Sequence, residues 1–175
     1  MQTLKIAITV ILSLLLQFLL PMRLRFFQYI ELPLIVTVFF SLMRSPMLGM
    51  MTGATAGLGG DYIGGGIPGV GGFAKTLIGY VIATVSVKFP LDNPLARLGI
   101  VALASATHTI LVVGLYLMLG QSIQHVGDWG EFGKTLGLKT LGDTLASIPV
   151  FMLLTRLFPD QSQAKRMAIK RRFYE

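Results

Sequence analysis

Two sets of residues in this sequence could do chemistry, and the first is a run of glycines. The stretch GLGGDYIGGGIPGVGGFAKT, residues 57–76, holds Gly64, Gly66 and Gly69 at G-x-G-x-x-G spacing, and Gly69 to Thr76 approaches a phosphate-binding loop. Such loops aim consecutive backbone N–H groups at a phosphate from the start of a helix, with a lysine completing the grip. They require a buried strand before the loop and a glycine directly before the lysine. Here Ala74 precedes Lys75, and the segment leading in is a glycine-rich helical pattern. With nine glycines among residues 57–72, the G-x-G-x-x-G spacing is expected by chance. The loop is not read as a nucleotide site.

The second set is the ionisable residues inside apolar surroundings. Asp61 follows the glycines, Glu31 and Asp143 stand near predicted helix starts, and His108 lies among Ser105, Thr107 and Thr109. An acid at a membrane helix end must be solvated, paired or capping. Asp61 is expected to bond the exposed amides of the glycine loop, with a contact to a partner or to Lys75 as the alternative. Asp143 and Glu31 are expected to cap the N-termini of the helices they help begin, where negative charge is favoured. A single histidine within a span most simply makes an interhelical hydrogen bond. His125, Asp128 and Glu131 share one loop but match no metal-ligand spacing. Trp129 reads as an interface anchor. No nucleophile stands beside a base, so no catalytic residue, cofactor or metal is expected.

These residues need a frame, and composition supplies it. Of 175 residues 53% are apolar and 13% charged, about half the charge a soluble surface carries. There is no cysteine, hence no disulfide framework or zinc cluster. The apolar runs are continuous rather than alternating, which predicts helices and not a barrel. Six are expected: 6–20, stopped by Pro21; 31–43; 47–60; 73–87; 98–119; and 141–158, with Pro149 inside it. Together they make an all-α membrane bundle over residues 1–160, followed by a basic tail at 161–175.

Six spans put both termini on one side. If that side is the cytoplasm, ten cations lie there: Lys5, Arg44, Lys88, Arg97, Arg156, Lys165, Arg166, Lys170, Arg171 and Arg172. Five lie opposite: Arg23, Arg25, Lys75, Lys134 and Lys139. The positive-inside rule then places the termini inside. The tail cations Lys165, Arg166, Lys170, Arg171 and Arg172 are expected to meet anionic lipid headgroups; nucleic acid is not an expected partner.

The glycines have a better use than phosphate. Gly49, Gly53, Gly57 and Asp61 recur every fourth residue, along one slowly rotating helical stripe. Small residues at that spacing let a second backbone approach closely. Packing inside the bundle is the expected use, and a groove for another protein's helix the alternative. Gly64, Gly66, Pro68 and Gly69 then form a tight outer turn.

In order, the run from Leu32 to Phe89 resembles the rod shape-determining protein MreD family. The matching features are an apolar helix ending at Arg44, the Gly53/Gly57 helix closing at Asp61, the loop at Gly64 and Gly69, and the Gly79–Tyr80 pair. The extra glycines at 59, 60, 65, 66, 71 and 72 depart from the family pattern, as does Asp143, where an asparagine would be expected. The resemblance implies a six-helix bundle similar to the S component of energy-coupling-factor transporters. It also implies a non-enzymatic subunit of the bacterial inner membrane. The implied partners are MreC, the glycosyltransferase RodA with its class B penicillin-binding transpeptidase, and the actin-like MreB. On this reading the glycine stripe helps hold the MreC membrane helix. A vitamin-binding S component is the rival, but only Tyr62, Trp129 and His125 could line its outer pocket. A lipid-metabolising enzyme would need acids or histidines clustered at one membrane face, and the sequence displays no such cluster.

Overall fold

In the computed structural model, residues 2–23, 25–89, 91, 93–121 and 129–158 are described. Six α-helices follow in chain order: α1 (Gln2–Arg23), α2 (Leu32–Ser41), α3 (Pro46–Gly64), α4 (Val70–Lys88), α5 (Pro94–Met118) and α6 (Trp129–Leu157). A 3-10 turn, Arg25–Tyr29, joins α1 to α2. Among the described residues, four helices are long and apolar enough to cross a membrane, namely α1, α4, α5 and α6. The protein is an all-α membrane protein.

Its burial pattern is that of a bundle in lipid. Leu4, Ile8, Ile11, Leu15 and Leu19 of α1 are exposed, as are Leu103 and Ile110 of α5 and Met152 and Leu153 of α6. Inside lie Thr37, Ser41, Thr52, Ser86, Ser105 and Ser147. All but Ser105 return to a carbonyl of their own helix: Thr37 donates to the Pro33 carbonyl, Ser41 to Thr37 and Ser86 to Ile82. A buried hydroxyl that returns to its own helix leaves no polar group unpaired.

The centre is α2, all ten of whose residues are buried. Pro33 suits its first turn, where a missing N–H does no harm. Edge-to-face ring pairs join it to the last helix, Phe39 with Phe151 and Phe40 with Phe158. At 1.5 Å per residue α2 rises about 15 Å, half of a ~30 Å hydrocarbon core. Its first residues, Leu32 to Leu34, are buried between the other helices.

Sequence and structure differ most at three helix ends. The first helix does not stop at Pro21 but contains it and continues to Arg23. Proline there forgoes one bond, to the Gln17 carbonyl, within the last turn. The last helix begins at Trp129 rather than at 141. Gly130, Gly133 and Gly137 give its first turns the composition of a loop. Helix three runs through Asp61 to Gly64, and Gly65 ends it in the left-handed conformation at φ 66°. Loop residues His125 and Asp128 and the tail cations Lys165 to Arg172 lie outside the described residues.

Candidate functional site

Two polar features and one apolar one stand out, and the first is the seam between α3 and α4. A Cβ built on Gly53 would collide with the Lys75 carbonyl, and one on Gly57 with the Gly71 carbonyl. At Gly49 it would stand 2.5 Å from the Gly79 carbonyl oxygen, and Gly79 is equally tight against Gly49. The stripe thus faces the backbone of α4 in the same chain, with no space left between them.

Asp61 ends this stripe and organises the turn between α3 and α4. Its carboxylate accepts from the N–H groups of Gly69 (2.9 Å), Gly71 (3.0 Å) and Gly72 (3.1 Å). These are orphan amides at the start of α4, which has no side-chain cap at Gly69. Gly69 holds φ 99°, a conformation open mainly to glycine. Ile67 N–H donates to the Tyr116 hydroxyl at 3.1 Å, tying the turn to α5. We expect Asp61→Ala to destabilise the protein by about 2 kcal/mol, since hydrogen bonds to a charged group contribute ~1.5–3 kcal/mol. Asp61→Asn should do less damage; thermal unfolding in a mild detergent measures both.

The second polar feature is a buried ionic cluster. Glu31 stands at the start of α2, but its side chain makes no capping bond. Instead Glu31 Oε1 lies 2.6 Å from Lys75 Nζ of α4, and Oε2 lies 3.0 Å from His108 Nδ1 of α5. The Nδ1 contact is one of proximity rather than a well-formed hydrogen bond. Lys75 Nζ is 3.2 Å from His108 Nε2, closing a triangle. Lys139 Nζ of α6 approaches Glu31 Oε2 at 3.9 Å. Lys75 and His108 are each 4% exposed, so this is an interior site.

Asp143 corrects the reading of it as a cap for its own helix. It lies midway along α6, 1% exposed, and caps α2 instead. Its Oδ1 accepts the Glu31 N–H at 2.6 Å and its Oδ2 the Ser105 hydroxyl at 2.5 Å. Gln17 of α1 completes the support, donating to the Ile30 carbonyl and accepting from Leu32 N–H, both at 2.9 Å. Five helices therefore meet at Glu31, the residue that precedes α2, with Asp143 satisfying its N–H and Gln17 the backbone on either side.

The sequence did not bring this cluster together. Glu31 is 112 residues from Asp143 and sits where a helix cap is expected. The available signal was the count of ionisable residues within apolar spans: Lys75, His108 and Asp143, each needing a partner. Among the described residues no group of acids and histidines is arranged to hold a metal ion. Lys75 and His108 offer hydrogen bonds and charge.

The apolar feature is a groove of about 290 Å³ between α4 and α5. Leu77, Val81 and Val85 face Leu103, Thr107 and Leu111 across it. Leu77, Val81, Val85 and Leu103 are exposed, so the groove opens to the lipid side.

A family model described as rod shape-determining protein MreD matches residues 1–157, nearly the whole described bundle. No curated protein and no solved structure gives a significant match.

Proposed function

Because the chain belongs to the rod shape-determining protein MreD family, we propose that it is a scaffold that holds the membrane helix of MreC. The family gives it a role in rod shape determination and is one of structural membrane proteins, not a known enzyme family. Through MreC it helps set the state of RodA and its class B penicillin-binding transpeptidase, with MreB on the cytoplasmic side. On this reading it lies in the bacterial inner membrane with both termini in the cytoplasm. Its tail cations Lys165, Arg166, Lys170, Arg171 and Arg172 meet anionic lipid.

The observation that carries the reading is the groove between α4 and α5. The glycine stripe already receives α4, so a second protein's helix needs another seat. The groove offers apolar walls, faces lipid and is flanked by exposed Val81 and Leu103. A helix in lipid gains from shape-matched packing rather than from leaving water. The lipid-facing groove suits that form of contact.

Purification of the tagged protein from its native membranes, with mass spectrometry of what accompanies it, tests the proposal. MreC and the synthase pair are the expected companions. Recovery of an energy-coupling membrane subunit and its ATPases in their place would overturn it. Val81→Trp with Leu103→Trp should fill the groove and reduce MreC capture about tenfold, ~1.4 kcal/mol. Size-exclusion profile and melting temperature should stay near those of the unsubstituted protein. Undiminished capture by that folded variant moves MreC off this groove.

A further inference from the structure

The side chains of Glu31, Lys75 and His108 satisfy no backbone group of α2. The Glu31 N–H is taken by Asp143, and the groups on either side of it by Gln17. Removing all three side chains together would orphan none of these. Buried ion pairs are commonly no more stabilising than apolar side chains of similar volume. Ionisable groups at membrane depth are retained where charge or protons are handled.

The bonding pattern specifies which. Lys75 pairs with Glu31 at 2.6 Å, so its amine is an ammonium, which has protons to give and none to accept. His108 Nε2, 3.2 Å away, must then be the acceptor. By elimination the ring is neutral with its proton on Nδ1, the nitrogen 3.0 Å from Glu31 Oε2. The ring's one basic lone pair, on Nε2, is the one that accepts from Lys75, so a proton can bind there only in place of that hydrogen bond. We infer that the Glu31–His108–Lys75 cluster is a proton-binding site, with His108 as the acceptor, whose occupancy sets how the start of α2 sits against α4 and α5.

The uptake is a simple one. A proton from water goes to the Nε2 lone pair, and no other covalent bond forms or breaks. Its consequence is structural. Two cationic donors would then face each other 3.2 Å apart, a distance at which like charges repel strongly in a low-dielectric interior. The Lys75–His108 contact must open, while Glu31 keeps an attraction for both cations. The charged groups around the ring are Glu31 from α2, Lys75 from α4, and Lys139 and Asp143 from α6. From α1 comes only uncharged Gln17, and the acid of α3, Asp61, is engaged by loop amides. The cluster is open along one side, where the Glu31 and Lys139 side chains are 18% and 30% exposed.

Nuclear magnetic resonance on the full chain in lipid nanodiscs tests this, with ¹⁵N-labelled histidine and glutamate. His125→Gln leaves His108 as the single histidine. At the higher pH the ring should be neutral with its proton on Nδ1. On acidification Nε2 should become protonated, and the Glu31 amide resonance should shift with the same midpoint. A ring carrying its proton on Nε2 at the higher pH overturns the inference. So does a ring that never titrates, or one that titrates while the Glu31 amide stays still.

Discussion

Gly53→Leu combined with Gly57→Leu is expected to abolish the native packing of α3 on α4. The obstacle at each position is backbone: the Lys75 carbonyl above Gly53 and the Gly71 carbonyl above Gly57. A backbone atom cannot rotate aside as a side chain does, so the two helices must move apart. Overpacking costs about 1–3 kcal/mol per site, or ~2–6 kcal/mol for the pair. The damage spreads, because displacing the Lys75 backbone also pulls its ammonium from Glu31. Thermal unfolding and monodispersity in mild detergent give the readout. A variant with unchanged melting temperature would show that α3 and α4 are not in backbone contact.

The second large effect concerns charge. Lys75→Met should leave Glu31 buried with only Lys139 at 3.9 Å as a formal cation. Breaking a buried pair by removing one partner costs about 3–5 kcal/mol, since the remaining charge is uncompensated. Glu31→Leu added to Lys75→Met should recover most of that loss. Asp143 still accepts the backbone N–H of residue 31, and His108 stays neutral. The expected signature is a double variant more stable than the Lys75→Met single, with a coupling of about 2 kcal/mol or more. A double variant as unstable as the sum of its parts would mean that the charges hold the helices in register. Paired measurements of melting temperature in one detergent decide between these outcomes.

The sequence made the six helices legible, because apolar runs ending in Arg44-Ser45-Pro46 or Lys88-Phe89-Pro90 leave few other readings. The four-residue spacing of Gly49, Gly53 and Gly57 and the acid at the end of that stripe were legible too, since both are local patterns. His108 could be read as an interhelical hydrogen-bonding residue, but not assigned its partner. What stayed hidden was long-range. Nothing local distinguishes an acid that caps its own helix from one that caps another, and Asp143 does the latter across 112 residues. Glu31 misled for the complementary reason. It occupies a cap position with no amide left to take, since Pro33 has no N–H and Leu34 N–H donates to the Glu31 carbonyl, which leaves its carboxylate for Lys75. The start of the last helix was obscured by Gly130, Gly133 and Gly137, whose low helical propensity is overridden in the folded chain.

The shortness of α2 has a bearing on how the chain is made. Its ten residues are about half the number needed to cross the bilayer unaided. Neighbouring α3 has nineteen residues but is not among the helices apolar enough to do so. Neither is suited to leave the insertion machinery for lipid by itself. They adjoin in the chain, however, and two crossings cancel. The helices that follow face the same way whether or not the pair has yet entered. The four long helices can thus take their places during synthesis, and α2 with α3 can enter between them afterwards, once Lys75, His108 and Asp143 are there to receive Glu31.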